Sequence, residues 1–157
     1  MESSFTLESE ALALPPGAVA GSERTYLRHG GRPVLGLTQG RRRPCIYPLF
    51  TPDGFAATSE SPADHPHHNS VWIAADHVNA YVPTTPGHHE IYGYNFYVDE
   101  TFQGRAAGTL QSGPPALTHL SKSAALIRCQ IEWRGPVEWG APNGRTIAQE
   151  MRSIMIE

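Results

Sequence analysis

Several features that define common protein classes are missing from this sequence. Cysteine is scarce: Cys45 and Cys129 lie far apart, and neither belongs to a C-x-x-C pair. This excludes a disulfide-stapled scaffold or a cysteine-rich zinc module and favours two buried thiols in a reducing compartment. Charged residues make up only 17% of the chain and the net charge is -3. Nothing in this balance attracts a polyanion, so no nucleic-acid partner is expected.

Long apolar runs and targeting signals are missing too. No stretch approaches the length of a membrane-spanning helix. The N-terminal residues carry Glu2, Glu8 and Glu10 and lack the basic start and apolar stretch of a secretory leader. We therefore expect a cytoplasmic protein with no membrane partner.

The last absence is helical periodicity. No segment keeps an apolar i, i+3, i+4, i+7 stripe for more than two turns. Instead, 15 glycines and 14 prolines are spread along the chain and divide it into many short segments. The sequence predicts an all-β protein, an antiparallel β-sandwich of the supersandwich kind, with residues 1–157 forming a single domain or half-domain.

Two alternating segments define the clearest predicted strands. The first runs from Ala125 to Trp133, and every second residue in it is apolar. The second carries large side chains on one face: Tyr92, Tyr94, Phe96 and Val98. Turn signals separate the predicted strands, at Gly30-Gly31, Asp53-Gly54 and Asn143-Gly144.

The segment 146–156 reads as an apolar strand that is followed by neither a turn nor a helix. A strand of this kind leaves an exposed pairing edge. It must pair inside the domain or with another chain. We therefore expect a homo- or hetero-oligomer formed through this strand, in which a partner chain can complete the sandwich.

Histidine is concentrated in one part of the chain. Six of the eight histidines lie between positions 65 and 89: His65, His67, His68, His77, His88 and His89. A carboxylate that accepts one N–H of an imidazole leaves the other ring nitrogen available for proton transfer. Since Asp64 begins the densest group, the sequence predicts a catalytic site of Asp64, His65, His67 and His68.

Metal binding is a second interpretation of the same histidines. His65 and His67 have the i, i+2 spacing that puts two imidazoles on one face of an extended segment, and His77 could be a third ligand. Pro66 interrupts a regular ladder, however, and the acidic spacing does not match metal-binding small barrels. We expect no cofactor and keep the three-histidine set as the alternative. In a third interpretation the histidines hydrogen-bond backbone carbonyls in loops.

Three further residues could bind a substrate. Trp72 follows the histidines and could stack on a sugar ring, and Tyr94 could add a second apolar wall. Arg43 ends an arginine triplet that could hold a carboxylate or a phosphate. Together with the histidines, these residues predict a site for a small-molecule substrate.

Two sequence blocks resemble a bacterial family of unknown function, DUF6807, also described as methane oxygenase PmoA-like. They are Y-P-L-F-T-P-D-G at 47–54 and S-P-A-D-H-P-H-H-N-S-V-W at 61–72. Family members read H-P-L-Y-T-P-x-G, then D-H-P-H-H-R-G-L-W, then a V-N-G segment that Val78-Asn79-Ala80 resembles. Here Asn69-Ser70 stands in place of Arg-Gly.

This resemblance carries three implications. It adds Asn79 to the expected substrate-binding residues. Because family members are usually much longer, it implies that the chain is the N-terminal half of a longer domain. The association of such proteins with sugar oxidoreductases and isomerase-like barrels implies carbohydrate chemistry.

The leading hypothesis is a small subunit or domain of an enzyme that acts on a sugar-like or polyhydroxylated molecule by hydrolysis or elimination. One alternative is a non-catalytic binding or scaffold subunit of a heteromeric complex. Another is a metal-dependent oxygenase or isomerase that uses the same histidines.

Overall fold

The structure is a computed structural model that describes residues 4–11, 23–40, 42–60, 62–65, 68–138 and 140–157. Across these residues the secondary structure consists of strands without a helix, so the prediction of an all-β protein is confirmed. The strands are β1 (Phe5–Ala11), β2 (Glu23–His29), β3 (Arg32–Gln39), β4 (Pro44–Leu49), β5 (Val71–Trp72), β6 (Val78–Thr85), β7 (His88–Asn95), β8 (Ala106–Ala107), β9 (Thr109–Ser112), β10 (Ala116–His119), β11 (Ala125–Arg134) and β12 (Thr146–Ile156).

The first sheet is antiparallel and has the strand order β1-β2-β3-β4-β5. Its β2–β3 hairpin turns at Gly30 and Gly31, whose φ values of 55° and 82° are accessible to glycine without strain. The turn predicted there is therefore confirmed. The short β5 pairs with β4 and brings Trp72 opposite Cys45.

The second sheet is built around β11. β12 lies along one side of β11, while β9 and β10 lie end to end along the other side. Gly113-Pro114-Pro115 separates β9 from β10. Because proline has no backbone N–H to donate to a ladder, the two prolines divide what would otherwise be one long strand.

The third sheet is small and consists of the β6–β7 hairpin with β8, which runs parallel to β7. Strand β7 ends at Asn95, and the chain then bends through residues 96–100. That bend lies close to the connection between β5 and β6, because Phe96 N donates to Ala75 O at 2.8 Å.

The core lies between the first and second sheets. The alternation predicted for 125–133 is confirmed, since Ala125, Ile127, Cys129 and Ile131 are buried while the residues between them are more exposed. These side chains form one cluster with buried residues of the other elements: Phe5, Leu27, Leu35, Tyr94, Phe96 and Leu110. Two open sheets with a shared apolar interior make a β-sandwich.

Strand β12 pairs with β11 over its whole length, from Ile156 opposite Ala125 to Thr146 opposite Arg134. One of the two expected outcomes, pairing inside the domain, is therefore present. Within the described ranges β12 has no second strand neighbour, so its outer edge is open. Whether the chain is a single domain or a half-domain stays a prediction.

Candidate functional site

The histidine segment lies between Glu60 and Asn69, and its described residues, 62–65 and 68, are here called the histidine loop. An isolated antiparallel bridge between Glu60 and Asn69 closes its base. Inside the loop, His65 N donates to Pro62 O at 3.0 Å and His68 N donates to His65 O at 2.9 Å. The rings of His65 and His68 stack, with centroids 4.8 Å apart and planes 17° apart.

Asp64 and His65 form a pair at the surface of this loop. Asp64 Oδ2 lies 3.1 Å from His65 Nδ1, and both side chains are exposed. The hydrogen bond from His65 holds the pKa of Asp64 below its usual value. The contact expected from the sequence is present, and a catalytic role for either residue stays a prediction.

His68 faces a residue that is distant in the sequence. Its Nε2 lies 3.0 Å from the hydroxyl oxygen of Tyr97. The ring of Trp72 lies beside both, with its centroid 6.1 Å from that of His68 and 5.1 Å from that of Tyr97. With Ser70 and Ala74, these residues line an open pocket of about 310 Å³.

Arg43 lies on the buried side of this pocket, against Trp72. Its side chain is 2% exposed, and its guanidinium lies 4.7 Å from the centroid of the Trp72 ring. It donates to the backbone carbonyl of Tyr97 and to the carboxylate of Asp99. Burial lowers the pKa of Arg43, and the nearby Asp99 carboxylate opposes that shift. Arg43 thus contacts two pocket residues, Trp72 and Tyr97, but does not itself line the pocket.

Asn95 fixes the bend that carries Tyr97. It is fully buried, and its Oδ1 accepts from Tyr97 N at 2.8 Å and from Val98 N at 3.1 Å. Its Nδ2 donates to Val98 O at 3.2 Å and to Glu100 O at 3.0 Å. One amide therefore satisfies four backbone groups of a bend that has no regular ladder.

The pocket lies within a sequence range that matches a known family. The sequence model of DUF6807, a family of unknown function, matches residues 24–157, which include the histidine loop and all strands from β3 onward. The chain belongs to this family. No curated protein and no solved structure shows significant similarity to the chain. The described part of the chain contains no helix long and apolar enough to cross a membrane. The cytoplasmic location stays a prediction.

The structure separates some predicted substrate-binding residues from the pocket. Tyr94 is 2% exposed and packs in the core, because it belongs to the inward-facing phase of β7. Asn79 lies exposed on the β6–β7 hairpin, opposite Gly93. Arg43, which was expected to contact substrate, is buried and its guanidinium binds protein groups, so its role toward a substrate stays a prediction. Of the four predicted substrate-binding residues, Trp72 alone lines the pocket.

Two histidines of the metal alternative, His65 and His77, lie within the described residues. His77 pairs with Asp76, with 2.8 Å between Nδ1 and Oδ2. No group of three or more His, Cys, Asp or Glu side chains suited to a metal ion occurs in the described ranges. His67 and Pro66 lie outside the described residues. The set His65, His67 and His77 is therefore not tested, and neither is the catalytic role predicted for His67.

Sequence reasoning missed Tyr97, although a signal for it exists. Tyr92, Tyr94 and Phe96 occupy alternate positions that face the core, and Tyr97 is one residue out of phase. In the structure Tyr97 lies in the bend after β7, but in the alternating segment predicted from Tyr92 to Val98 its position is on the solvent-facing phase. Tyr97 is indeed 38% exposed. The phase of each aromatic residue thus distinguishes the pocket residue from the core residues.

Proposed function

We propose that the pocket between the histidine loop and the bend after β7 binds a sugar-like or polyhydroxylated small molecule and catalyses its elimination or hydrolysis. The observation that carries the proposal is the 3.0 Å contact between His68 Nε2 and the Tyr97 hydroxyl, made beside the ring of Trp72. It combines two proton-transferring groups with an aromatic surface in one pocket.

The walls of this pocket suit a ring that is apolar on its faces and polar at its edge. The Trp72 indole offers a flat apolar surface for a ring face. Hydroxyl groups at the edge of such a ring can bond to His68 and Tyr97. Ser70 also lines this wall. Its hydroxyl oxygen is buried and has no hydrogen-bond partner among the described residues.

The His68–Tyr97 pair favours elimination over hydrolysis. Imidazole accepts and returns protons readily near neutral pH, so His68 can remove a proton from a substrate carbon next to a carbonyl. The Tyr97 hydroxyl can then protonate the departing oxygen, which leaves a carbon–carbon double bond and an alcohol. Asp64 bonds to His65, and the His65 ring stacks on the His68 ring. This stacking restricts the orientation of the His68 ring.

The test combines ligand titration with matched variants. NMR titration with methyl glycosides and methyl-esterified uronic acids is expected to shift the Trp72 indole N–H resonance. Trp72→Ala should abolish the response, whereas His68→Gln and Tyr97→Phe should retain binding and lose any turnover of the uronate esters. His77→Gln is the control, because His77 is an exposed histidine that lies outside the pocket. Equal effects of His77→Gln and His68→Gln on turnover would contradict the proposal, as would an unresponsive Trp72.

A second candidate function is that of a binding or scaffold subunit, favoured by the open edge of β12. The inner face of β12 carries Glu150 and Arg152, whose side chains are joined at 2.7 Å between Arg152 Nε and Glu150 Oε1. Charges on the inner face of an edge strand discourage unselective pairing. Only a partner strand with complementary charges would pair favourably.

A second copy of the chain supplies that complement. Antiparallel pairing of two β12 strands about Met151 would place Glu150 of each copy opposite Arg152 of the other. It would also pair Ile147 with Met155 across the interface. The same open edge would suit the predicted N-terminal half of a longer sandwich, in which a following strand takes this place.

Charge exchange tests the dimer. Each of Glu150→Arg and Arg152→Glu should weaken the dimer by about tenfold in sedimentation experiments, because like charges then face each other twice. The double variant should restore dimerisation. A cooperative, well-folded monomer at all protein concentrations would exclude this candidate.

A further inference from the structure

A second cavity lies inside the sandwich, away from the histidine loop. Its volume is about 250 Å³, and residues of the first and second sheets line it on opposite sides. The lining includes the break between β9 and β10, at Gly113-Pro114-Pro115. Since this break interrupts the edge strand of the second sheet, it leaves the space beneath it unfilled.

The cavity has a buried floor and an exposed mouth. Cys45 on β4 and Cys129 and Ile131 on β11 are buried at the floor. Ser9 and Glu23, on the paired strands β1 and β2, are exposed and lie at the mouth. A molecule entering from solvent would therefore pass polar groups before it reaches the apolar interior.

Inside the mouth, the polar side chains of Thr38, Gln39, Ser112 and Arg152 are already bonded to protein. Thr38 Oγ1 donates to Tyr47 O at 2.7 Å, and Ser112 Oγ donates to Gly113 O at 2.9 Å. The Gln39 amide donates to Leu110 O and accepts from Ser112 N, and the Arg152 guanidinium binds Glu150. These groups have their partners, so the cavity does not require a polar ligand.

The two thiols behave as part of the apolar lining. Burial raises the pKa of Cys45 to about 12 and also raises the pKa of Cys129. Both thiols are therefore neutral at physiological pH, and a buried neutral thiol is a small hydrophobic group rather than a nucleophile or metal ligand. Around them stand the aliphatic side chains of Leu37, Ile46, Ile131 and Ile154.

We propose that this inter-sheet cavity binds a small uncharged apolar molecule of the size of a single aromatic ring or a short branched alkyl group. Protein interiors rarely leave voids larger than a water molecule, and an apolar cavity of about 150 Å³ in another protein stays dry and binds benzene. The cavity here is larger than that and has an exposed mouth. This site is independent of the proposed reaction in the histidine-loop pocket.

Benzene is the probe and benzoate is its charged control. Benzene at ten times its dissociation constant should raise Tm by about 3–6 °C. Intermolecular nuclear Overhauser effects should connect bound benzene to the methyl groups of Ile131 and Ile154. Benzoate at equal concentration should do neither, because its carboxylate would lose its hydration in an apolar interior where the Arg152 guanidinium is already bound to Glu150.

A size series at the floor locates the site. Cys129→Ala enlarges the cavity and should keep binding, whereas Cys129→Phe should occupy the cavity and abolish it. If Cys129→Phe fails to fold, Cys45→Phe introduces the same ring from the opposite sheet. The proposal is overturned if benzene produces no contacts to Ile131 and Ile154. It is also overturned if a folded Phe variant binds benzene as well as the unmodified chain does.

Discussion

Replacement of Asn95 by alanine tests the structural basis of the candidate pocket most directly. The change removes four hydrogen bonds to the backbone of residues 97–100. At about 1 kcal/mol net per bond, the full loss would be about 4 kcal/mol. Because Tyr97 and Glu100 are exposed, water can replace some of these partners and reduce the loss to about 2 kcal/mol. We therefore expect a destabilisation of about 2–4 kcal/mol.

Urea denaturation and thermal unfolding measure this loss, and Tm should fall by about 4–16 °C. The matched control is Asn79→Ala, which removes the same amide from an exposed position on β6 and should change stability by no more than about 0.5 kcal/mol. In Asn95→Ala the Tyr97 ring should also lose its fixed position beside His68, which NMR can follow through ring contacts between the two. A loss below about 1 kcal/mol, or equal losses in the two variants, would refute the view that Asn95 holds the bend.

Three further predictions follow from local geometry. Gly108→Ala would place a Cβ 2.2 Å from a carbon of the buried Phe96 ring, so chemical denaturation should show a loss of about 1–3 kcal/mol, and an unchanged midpoint would contradict this packing. His65→Ala should raise the pKa of Asp64 toward its usual value in an NMR titration. Because the pKa of Asp64 is lowered in the folded chain, the stability from this pair is present above the pKa of Asp64 in the unfolded chain. It is lost as pH falls through the pKa of Asp64 in the folded chain. An Asp64 titration that does not move in His65→Ala would argue against the pairing. With a pKa raised to about 12, Cys45 should resist iodoacetamide at pH 8 until the chain unfolds, and equal labelling of native and unfolded protein would show that it is accessible.

The elements that the sequence predicted well are those whose pattern is local. The alternation from Ala125 to Trp133 records, residue by residue, which face of β11 is buried, because successive side chains of a strand point to opposite faces. The turn at Gly30-Gly31 was predictable for a similar reason, since its positive φ values restrict the residues that it accepts. Such patterns need no knowledge of the neighbouring sheet.

The pocket depended on contacts that no local pattern encodes. His68 and Tyr97 are 29 residues apart in the sequence and meet because the histidine loop and the bend after β7 pack together. Arg43 lies 56 residues from its partner Asp99, so its position in an arginine triplet gave no indication that it would be buried. Tyr94 was expected in the pocket because it is aromatic and near the histidines, yet its phase on β7 turns it into the core.

The sequence by itself therefore determined the all-β architecture, the alternation along β11 and the turn at Gly30-Gly31, whereas a catalytic role for the histidine loop stays a prediction. Only the tertiary structure decided that Tyr97 lies beside His68 and that the buried Arg43 and Asn95 side chains fix the bend that carries Tyr97. It also decided that a cavity lies between the sheets at the β9–β10 break. The physical reason is that burial along a strand depends on its own alternating side chains, whereas the convergence of side chains from distant loops depends on how whole sheets pack.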